Sequence, residues 1–132
     1  MGALCLFLAS GALAAIIPAD TITLAWTHSV EQTEWQERYV VRGGRLEIAQ
    51  AAVRGSGAGM EPPEGAVQSG GWWRYTPVLP ALDELRLARS DFTSDYRVCW
   101  GGRCQPLADL VPLGDQPTAT IVRPCRGKGT EK

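Results

Sequence analysis

The fold is decided by a single stretch, Trp26-Thr27-His28-Ser29-Val30-Glu31-Gln32-Thr33-Glu34-Trp35-Gln36-Glu37-Arg38-Tyr39. Apolar and polar side chains alternate on both sides of residues 31–34, and a period of two predicts two antiparallel strands joined by a turn. Alternate side chains of a strand point to the same face of a sheet. One face of this hairpin therefore collects Trp26, His28, Val30, Trp35, Glu37 and Tyr39.

The register of this hairpin follows if its turn is formed by residues 32–33 alone. That turn places His28 opposite Glu37 and Trp26 opposite Tyr39. Directly opposed β-carbons lie about 4.5–5.5 Å apart, which brings an imidazole–carboxylate hydrogen bond within reach. The sequence therefore predicts a polar pair between aromatic neighbours on one sheet face.

A second turn, Arg42-Gly43-Gly44-Arg45, extends the hairpin into a three-stranded meander. If this turn also has two residues, Tyr39 faces Ile48 and Glu37 faces Gln50. The polar row then continues across all three strands of the meander.

A third hairpin signal contains two of the four cysteines. A turn at Gly101-Gly102 sets Cys99 opposite Cys104, and directly opposed cysteines meet the geometry of a cross-strand disulfide in an oxidising compartment. Cys125 can replace either partner, so the pairing stays open. The spacing does not match a zinc site, and no metal site is predicted.

Length and composition predict one all-β domain. The chain has 132 residues, a formal net charge of -1, 15 glycines and 9 prolines. Many turn residues between short apolar runs indicate a small antiparallel β-sandwich or barrel of about eight strands. We expect this domain to span residues 18–126 and residues 127–132 to form a flexible tail. The balanced charge gives no reason to expect a nucleic acid partner, and nothing predicts a cofactor.

The first part of the chain is apolar, since residues 2–17 contain no charged side chain. The run is shorter than the roughly 20 apolar residues of a membrane span. It is typical of the apolar region of a secretory signal, and Ala12-Leu13-Ala14 supplies small residues suited to cleavage. We predict that residues 1–17 are a signal peptide or an uncleaved signal anchor, that the protein is exported to the periplasm or cell envelope, and that only such an anchor would contact a membrane.

The hairpin also raises the question of catalysis. A dyad of His28 and Glu37 would be a general base in a small hydrolase-like or metal-dependent enzyme. That chemistry needs a nucleophile on the same face, and Ser29 points to the opposite one. Glu31 and Glu34 could hold a cation with loop carbonyls, but two acids in a solvated turn are the simpler interpretation. The protein is therefore not predicted to be an enzyme.

Binding and a purely structural role remain as alternatives. Aromatic side chains with a few polar groups are typical of a ligand pocket or partner surface, whereas the structural hypothesis places the same residues in the core. Alternating glycines in residues 54–63 favour turns or a small anion-binding nest, because Pro62-Pro63 blocks the helix of a nucleotide site. The predicted binding residues are Trp26, His28, Glu31, Trp35, Glu37, Tyr39, Gly57, Gly59 and Trp72.

A family resemblance rests on three stretches, Trp26-Thr27-His28-Ser29-Val30-Glu31 with Glu37 and Tyr39, Gly57-Ala58-Gly59-Met60, and Gly71-Trp72. Together they resemble the domain-of-unknown-function 1850 family of small bacterial envelope proteins, over about residues 24–122. Genes of that family often neighbour those of tripartite periplasmic transporters whose solute receptor is of the TAXI class. The resemblance implies a non-catalytic accessory or binding role in solute uptake, with the receptor or membrane subunits of such a transporter as partners.

Overall fold

The computed structural model describes residues 2–27, 33–54, 65–115 and 117–126. They form eleven strands and a 3₁₀ turn at Leu107–Asp109, in two antiparallel sheets that do not close into a barrel. The predicted all-β class is confirmed, and of the two predicted architectures, sandwich or barrel, the structure is the antiparallel sandwich. The strands are β1 (Gly2–Leu8), β2 (Leu13–Ile17), β3 (Thr21–Thr27), β4 (Glu34–Arg42), β5 (Arg45–Arg54), β6 (Val67–Ser69), β7 (Trp72–Tyr75), β8 (Leu85–Arg89), β9 (Arg97–Trp100), β10 (Arg103–Pro106) and β11 (Thr118–Arg126).

The larger sheet has seven strands in the order β10-β9-β3-β4-β5-β7-β6. Its strands alternate as the sequence pattern predicts: Ile22 and Leu24 are buried in the core, whereas Thr23 between them points away from it. We call the side with Ile22 and Leu24 the inner face and the side with Thr23 the outer face.

The smaller sheet has four strands in the order β2-β1-β11-β8 and covers the inner face. Its apolar side chains and those of the larger sheet form one core, which is what makes the domain a sandwich. The core contains Leu4, Leu6, Ile17, Leu85, Leu87 and Val122 from the smaller sheet, and Ile22, Leu24, Tyr39, Leu46 and Val98 from the larger one.

Residues 2–17, predicted to be a signal segment, form two strands of the smaller sheet. Leu4 and Leu6 are almost completely buried, and a disulfide joins Cys5 to Cys125. A continuous apolar run fits a fully buried strand as well as a signal, so composition alone does not separate the two. Export and cleavage stay a prediction. Among the described residues, no helix is long and apolar enough to cross a membrane.

The register predicted for the first hairpin is wrong by four residues. Trp26 pairs with Trp35 rather than Tyr39, and Glu37 pairs with Leu24 rather than with His28. This register does not fit a two-residue turn at residues 32–33, and His28 itself lies outside the described residues. Because the shift is an even number, Trp26, Trp35, Glu37 and Tyr39 still share the inner face, as predicted.

The register predicted for the second hairpin holds only as far as a β-bulge. Tyr39 pairs with Ile48 as expected, but the next pair is Arg38 with Gln50, so Ala49 is an extra residue in β5. Glu37 consequently faces Ala51, and the prediction that it faces Gln50 is wrong. The bulge moves Gln50 from the inner face to the outer face, beside Arg38.

The third hairpin forms as predicted. Cys99 pairs with Cys104, and a disulfide joins them. Gly101 and Gly102 have φ angles of 62° and 81°, the left-handed conformation that a two-residue turn of this kind needs and that glycine adopts without strain. The open question of the third cysteine is also answered, since Cys125 bonds Cys5.

Candidate functional site

The inner face carries a cluster of aromatic side chains beside the core. Trp26 stacks on its cross-strand partner Trp35 with 6.5 Å between ring centroids, and Tyr96 lies 5.7 Å from Trp26 in a tilted arrangement. Trp26 and Tyr96 pack against the buried core cluster. These contacts make the aromatic residues an extension of the core at one end of the sheet.

Glu37 is the carboxylate of this inner cluster. The Tyr39 hydroxyl donates a hydrogen bond of 2.7 Å to its Oε1 atom. Burial first, and then this hydrogen bond and the charge of Glu37, raise the pKa of Tyr39 far above its usual value. Burial, followed by the charge of Glu37, also raises the pKa values of Tyr75 and Tyr96. These phenols therefore stay protonated at neutral pH.

The inner cluster differs from the catalytic arrangement considered for this face. The dyad hypothesis required His28 directly opposite Glu37, but Leu24 occupies that position and Tyr39 binds the carboxylate. The described ranges contain no group of three or more His, Cys, Asp or Glu side chains placed to hold a metal ion. The geometry thus gives Glu37 the role of a hydrogen-bond acceptor for Tyr39.

The predicted binding residues divide between the two faces. Trp26, Trp35, Glu37 and Tyr39 lie together on the inner face, whereas Trp72 pairs with Arg54 on the outer face. The other predicted residues, His28, Glu31, Gly57 and Gly59, lie outside the described residues.

Trp73, which the sequence analysis did not select, lies on the inner face. It pairs with Val53, and Val53 pairs on its other side with Trp35. The indole Nε1 atoms of Trp35 and Trp73 are buried, and neither has a hydrogen-bond partner among the residues that the structure describes. Adjacent residues of a strand alternate between faces, so only one member of the Trp72-Trp73 pair can join the inner cluster.

The outer face carries exposed arginines around Trp72. The guanidinium carbons of Arg54 and Arg74 each lie 5.7 Å from the centroid of the Trp72 ring, within the range of cation–π attraction. Arg38 lies on the same face, two strands away from Arg74. Arg38, Arg54 and Arg74 therefore share one face of a protein whose formal net charge is -1.

A depression of about 190 Å³ lies between two of these arginines. Arg38 and Arg74 stand on opposite sides, because their strands β4 and β7 flank β5. The Nη1 atom of Arg74 donates a hydrogen bond of 3.5 Å to Oε1 of Gln50. The depression is lined by Thr23, Gln36, Arg38, Gln50, Ala52 and Arg74.

Arg38, Arg54 and Arg74 differ from most other arginines of the protein. Five arginines of the described residues form ion pairs with carboxylates: Arg42 with Glu47, Arg45 with Asp83, Arg89 with Asp95, Arg97 with Glu34 and Arg123 with Glu84. Within the same part of the chain, Arg38, Arg54 and Arg74 have no carboxylate within 4.0 Å. As far as the described residues go, their positive charge is therefore uncompensated at short range.

Gln36 and Arg38 alternate with Trp35, Glu37 and Tyr39, so strand parity alone predicts that they lie on the opposite face. Likewise, Arg54 and Arg74 each alternate with aromatic or apolar neighbours, so their outward direction follows from strand parity. The sequence does not predict that Gln50 lies on the outer face, because that position depends on the bulge at Ala49.

Comparison with known proteins identifies the family of this chain. Residues 22–107, more than half of the chain, match the model of a family described as a domain of unknown function, DUF1850. Searches of curated proteins and of solved structures found no match.

Proposed function

The chain belongs to the DUF1850 family, and from that premise we propose that it is a non-catalytic binding protein of the cell envelope. The disulfides Cys5–Cys125 and Cys99–Cys104 are compatible with an oxidising location outside the cytoplasm. The binding surface is the outer face of the seven-stranded sheet, and its partner is an acidic surface of another envelope protein.

The observation that carries this proposal is the charge of Arg38, Arg54 and Arg74, which no carboxylate of the described residues compensates at short range. Like charges that share a sheet face repel one another, and an anionic partner would remove that repulsion. Arginine beside a half-buried tryptophan such as Trp72 is also typical of the residues that dominate binding energy in protein interfaces. The aromatic residues of the inner face, by contrast, are engaged with each other and with the core.

The family resemblance supplies a class of partner. It associates such proteins with tripartite transporters of the TAXI class, so we propose the solute receptor or a membrane subunit of such a transporter as the acidic partner. The role would be accessory: the protein docks on the transporter and takes no covalent part in solute uptake.

Charge reversal on the outer face tests this role. We expect the double variant Arg38→Glu/Arg74→Glu to capture about tenfold less of the transporter subunits from envelope extract than the wild type, because it turns electrostatic attraction into repulsion. Capture is measured by pull-down with the full chain followed by quantification of the receptor and membrane subunits. Circular dichroism is the check that both proteins are folded.

The matched control is Arg86→Glu/Arg103→Glu, which makes the same change in net charge. Both arginines are exposed and have no carboxylate within 4.0 Å among the described residues, and neither lies beside the depression. We expect this control to retain wild-type capture. Equal capture by the wild type and by Arg38→Glu/Arg74→Glu, or no capture by any of the proteins, contradicts the proposal.

A further inference from the structure

We infer that the depression of the outer face is a carboxylate-binding site. The inference rests on the proposed function, because it names the chemical group that the basic outer face would bind. Four features support it: the shape of the depression, the donors that line it, the charge around it and the state of the backbone beneath it.

The shape follows from a small residue among long ones. Ala52 lies in β5, between β4 and β7, and points to the outer face. Its cross-strand partners are Gln36 on one side and Arg74 on the other. A methyl group surrounded by longer side chains leaves a hollow. At about 190 Å³, the hollow has room for about six water molecules of roughly 30 Å³ each. That space suits a carboxylate or a small di-acid, and it is below the roughly 300–1,000 Å³ typical of pockets for larger organic ligands.

The donors approach the hollow from two sides. Arg38 and Arg74 each present a planar guanidinium, whose N–H groups match the two oxygens of a carboxylate. Arg74 is held in place by its hydrogen bond to Gln50 and by its contact with the ring of Trp72. A side chain that is already oriented loses less conformational entropy on binding, so this arrangement favours capture of an anion.

Among the described residues, no acid opposes the positive charge around the hollow. The outer face also has the carboxylates Glu34 and Glu47, but Glu34 bonds Arg97 at 2.8 Å and Glu47 bonds Arg42 at 3.2 Å. An incoming carboxylate would therefore meet two guanidinium groups to which no acid of this part of the chain is bound. A face that was only solvated would not need to keep its acids away from these two arginines.

The backbone beneath the hollow favours a carboxylate over a phosphate. Phosphate sites commonly use backbone N–H groups at a helix N-terminus or in a loop. Here β4, β5 and β7 are paired on both sides, so their backbone groups take part in the sheet ladder. Side chains alone supply the donors, and two guanidinium forks match a planar, bidentate anion.

Calorimetric titration of the full chain tests the site. The probes are succinate, a free di-acid, and a peptide of six glutamates, both at low ionic strength. We expect saturable binding of at least one probe with one site per chain. Arg38→Gln and Arg74→Gln should each weaken that binding about tenfold or more, because each removes a charge-assisted hydrogen-bond donor. Arg86→Gln, an equal charge change elsewhere, should change the affinity less than about twofold.

Two further variants separate a shaped site from diffuse attraction. Arg74→Lys keeps the charge but loses the planar fork, and Ala52→Val keeps every charge but fills the floor of the hollow. We expect both to weaken binding of the probe. If neither does, while Arg86→Gln weakens binding as much as Arg74→Gln, the attraction comes from net charge and the site is refuted.

The two probes identify the source of the carboxylate. Binding of succinate assigns the site to a free small acid, and binding of the peptide alone assigns it to acidic side chains of a partner. Binding of neither probe, or tighter binding of inorganic phosphate, overturns the inference. The proposed function is judged separately. If Arg38→Glu/Arg74→Glu no longer captures the transporter subunits, although the wild type binds neither probe, docking on the transporter is supported and the carboxylate-binding site is refuted.

Discussion

Arg89 is a charged residue inside the sandwich, with a side chain that is 0% exposed. Its Nε and Nη2 atoms donate to the two carboxylate oxygens of Asp95 at 2.9 and 2.7 Å. Its Nη1 atom donates to the Val111 carbonyl at 2.8 Å and to the Thr120 hydroxyl at 2.9 Å. A buried guanidinium is tolerated only when its donors are satisfied, so this residue ties β8, β11 and the segment after the 3₁₀ turn together.

Removing the carboxylate from this pair should destabilise the protein strongly. We expect Asp95→Asn to lower the free energy of unfolding by on the order of 3 kcal/mol, because it leaves a buried guanidinium without its counter-charge. Urea denaturation at neutral pH measures the change. The control is Asp83→Asn, which breaks the exposed ion pair with Arg45 and should cost less than about 1 kcal/mol. Equal losses in the two variants would contradict a special role for Arg89.

The same pair predicts how stability depends on pH. Burial acts to raise the pKa of Asp95, but hydrogen bonds from Arg89 and the Tyr96 backbone, with the charge of Arg89, outweigh it and hold the pKa below its usual value. The stabilisation is therefore complete above the unfolded-state pKa of about 3.9 and is lost as the pH falls through the lower pKa of the folded state. In urea denaturation between pH 7 and pH 3, the stability difference between wild type and Asp95→Asn should shrink only below about pH 4.

Strand β5, which lies between β4 and β7, places Gln50 on the outer face through its bulge. Its extra residue, Ala49, lies between Ile48, which faces inward, and Gln50, which faces outward beside Arg38. A β-bulge of this kind changes the phase of the alternation along one strand only. The strand therefore contributes Ile48 to the core side and Gln50 to the depression, although both positions have even numbers.

Changing the number of residues at the bulge tests this account. Deletion of Ala49 should leave Gln50 opposite Arg38, because a regular ladder then continues from Ile48. Because two extra residues preserve the alternation, insertion of a second alanine after Ala49 should keep Val53 on the inner face and move Gln50 from Arg38 to Gln36. Cross-strand nuclear Overhauser effects measure the pairing in both variants, and urea denaturation measures their stability. Absence of a contact between Gln50 and Arg38 in the deletion variant contradicts this account.

The first and last strands of the described chain are joined to each other. β1 pairs with β11 along residues 2–8, and the Cys5–Cys125 disulfide spans 120 residues of sequence. The other disulfide, Cys99–Cys104, spans 5 residues. Chain-entropy arguments give about 5 kcal/mol for a loop of the first size and about 2 kcal/mol for one of the second. The long-range disulfide is therefore the one on which the sandwich depends more.

Disulfide mapping of protein isolated from the envelope tests this arrangement. The structure predicts a non-reduced peptide that links Cys5 to Cys125. Cleavage of a signal after Ala14 would instead remove Cys5 and leave Cys125 without that partner, so the two results exclude each other in one molecule. As a second measurement, we expect Cys5→Ala/Cys125→Ala to lower the free energy of unfolding more than Cys99→Ala/Cys104→Ala does. The opposite order would contradict the role of the long-range disulfide.

The all-β class, the shared face of Trp26, Trp35, Glu37 and Tyr39, and the cross-strand pairing of Cys99 with Cys104 followed from the sequence. Each depends on local information, either the period of two along a strand or a two-residue glycine turn. The sequence also predicted about eight strands. The structure adds β6, together with β1 and β2 in a segment that composition could equally assign to a signal.

Only the tertiary structure decided the register and the contents of the outer face. Pairing Trp26 with Trp35 instead of Tyr39 leaves every side chain of the hairpin on the same face. The alternation in the sequence therefore fits both registers equally well. The bulge at Ala49 and the hollow between Arg38 and Arg74 depend on which strands become neighbours. The physical reason is that periodicity specifies the direction of a side chain, whereas its neighbours are set by strand pairing between residues distant in the chain.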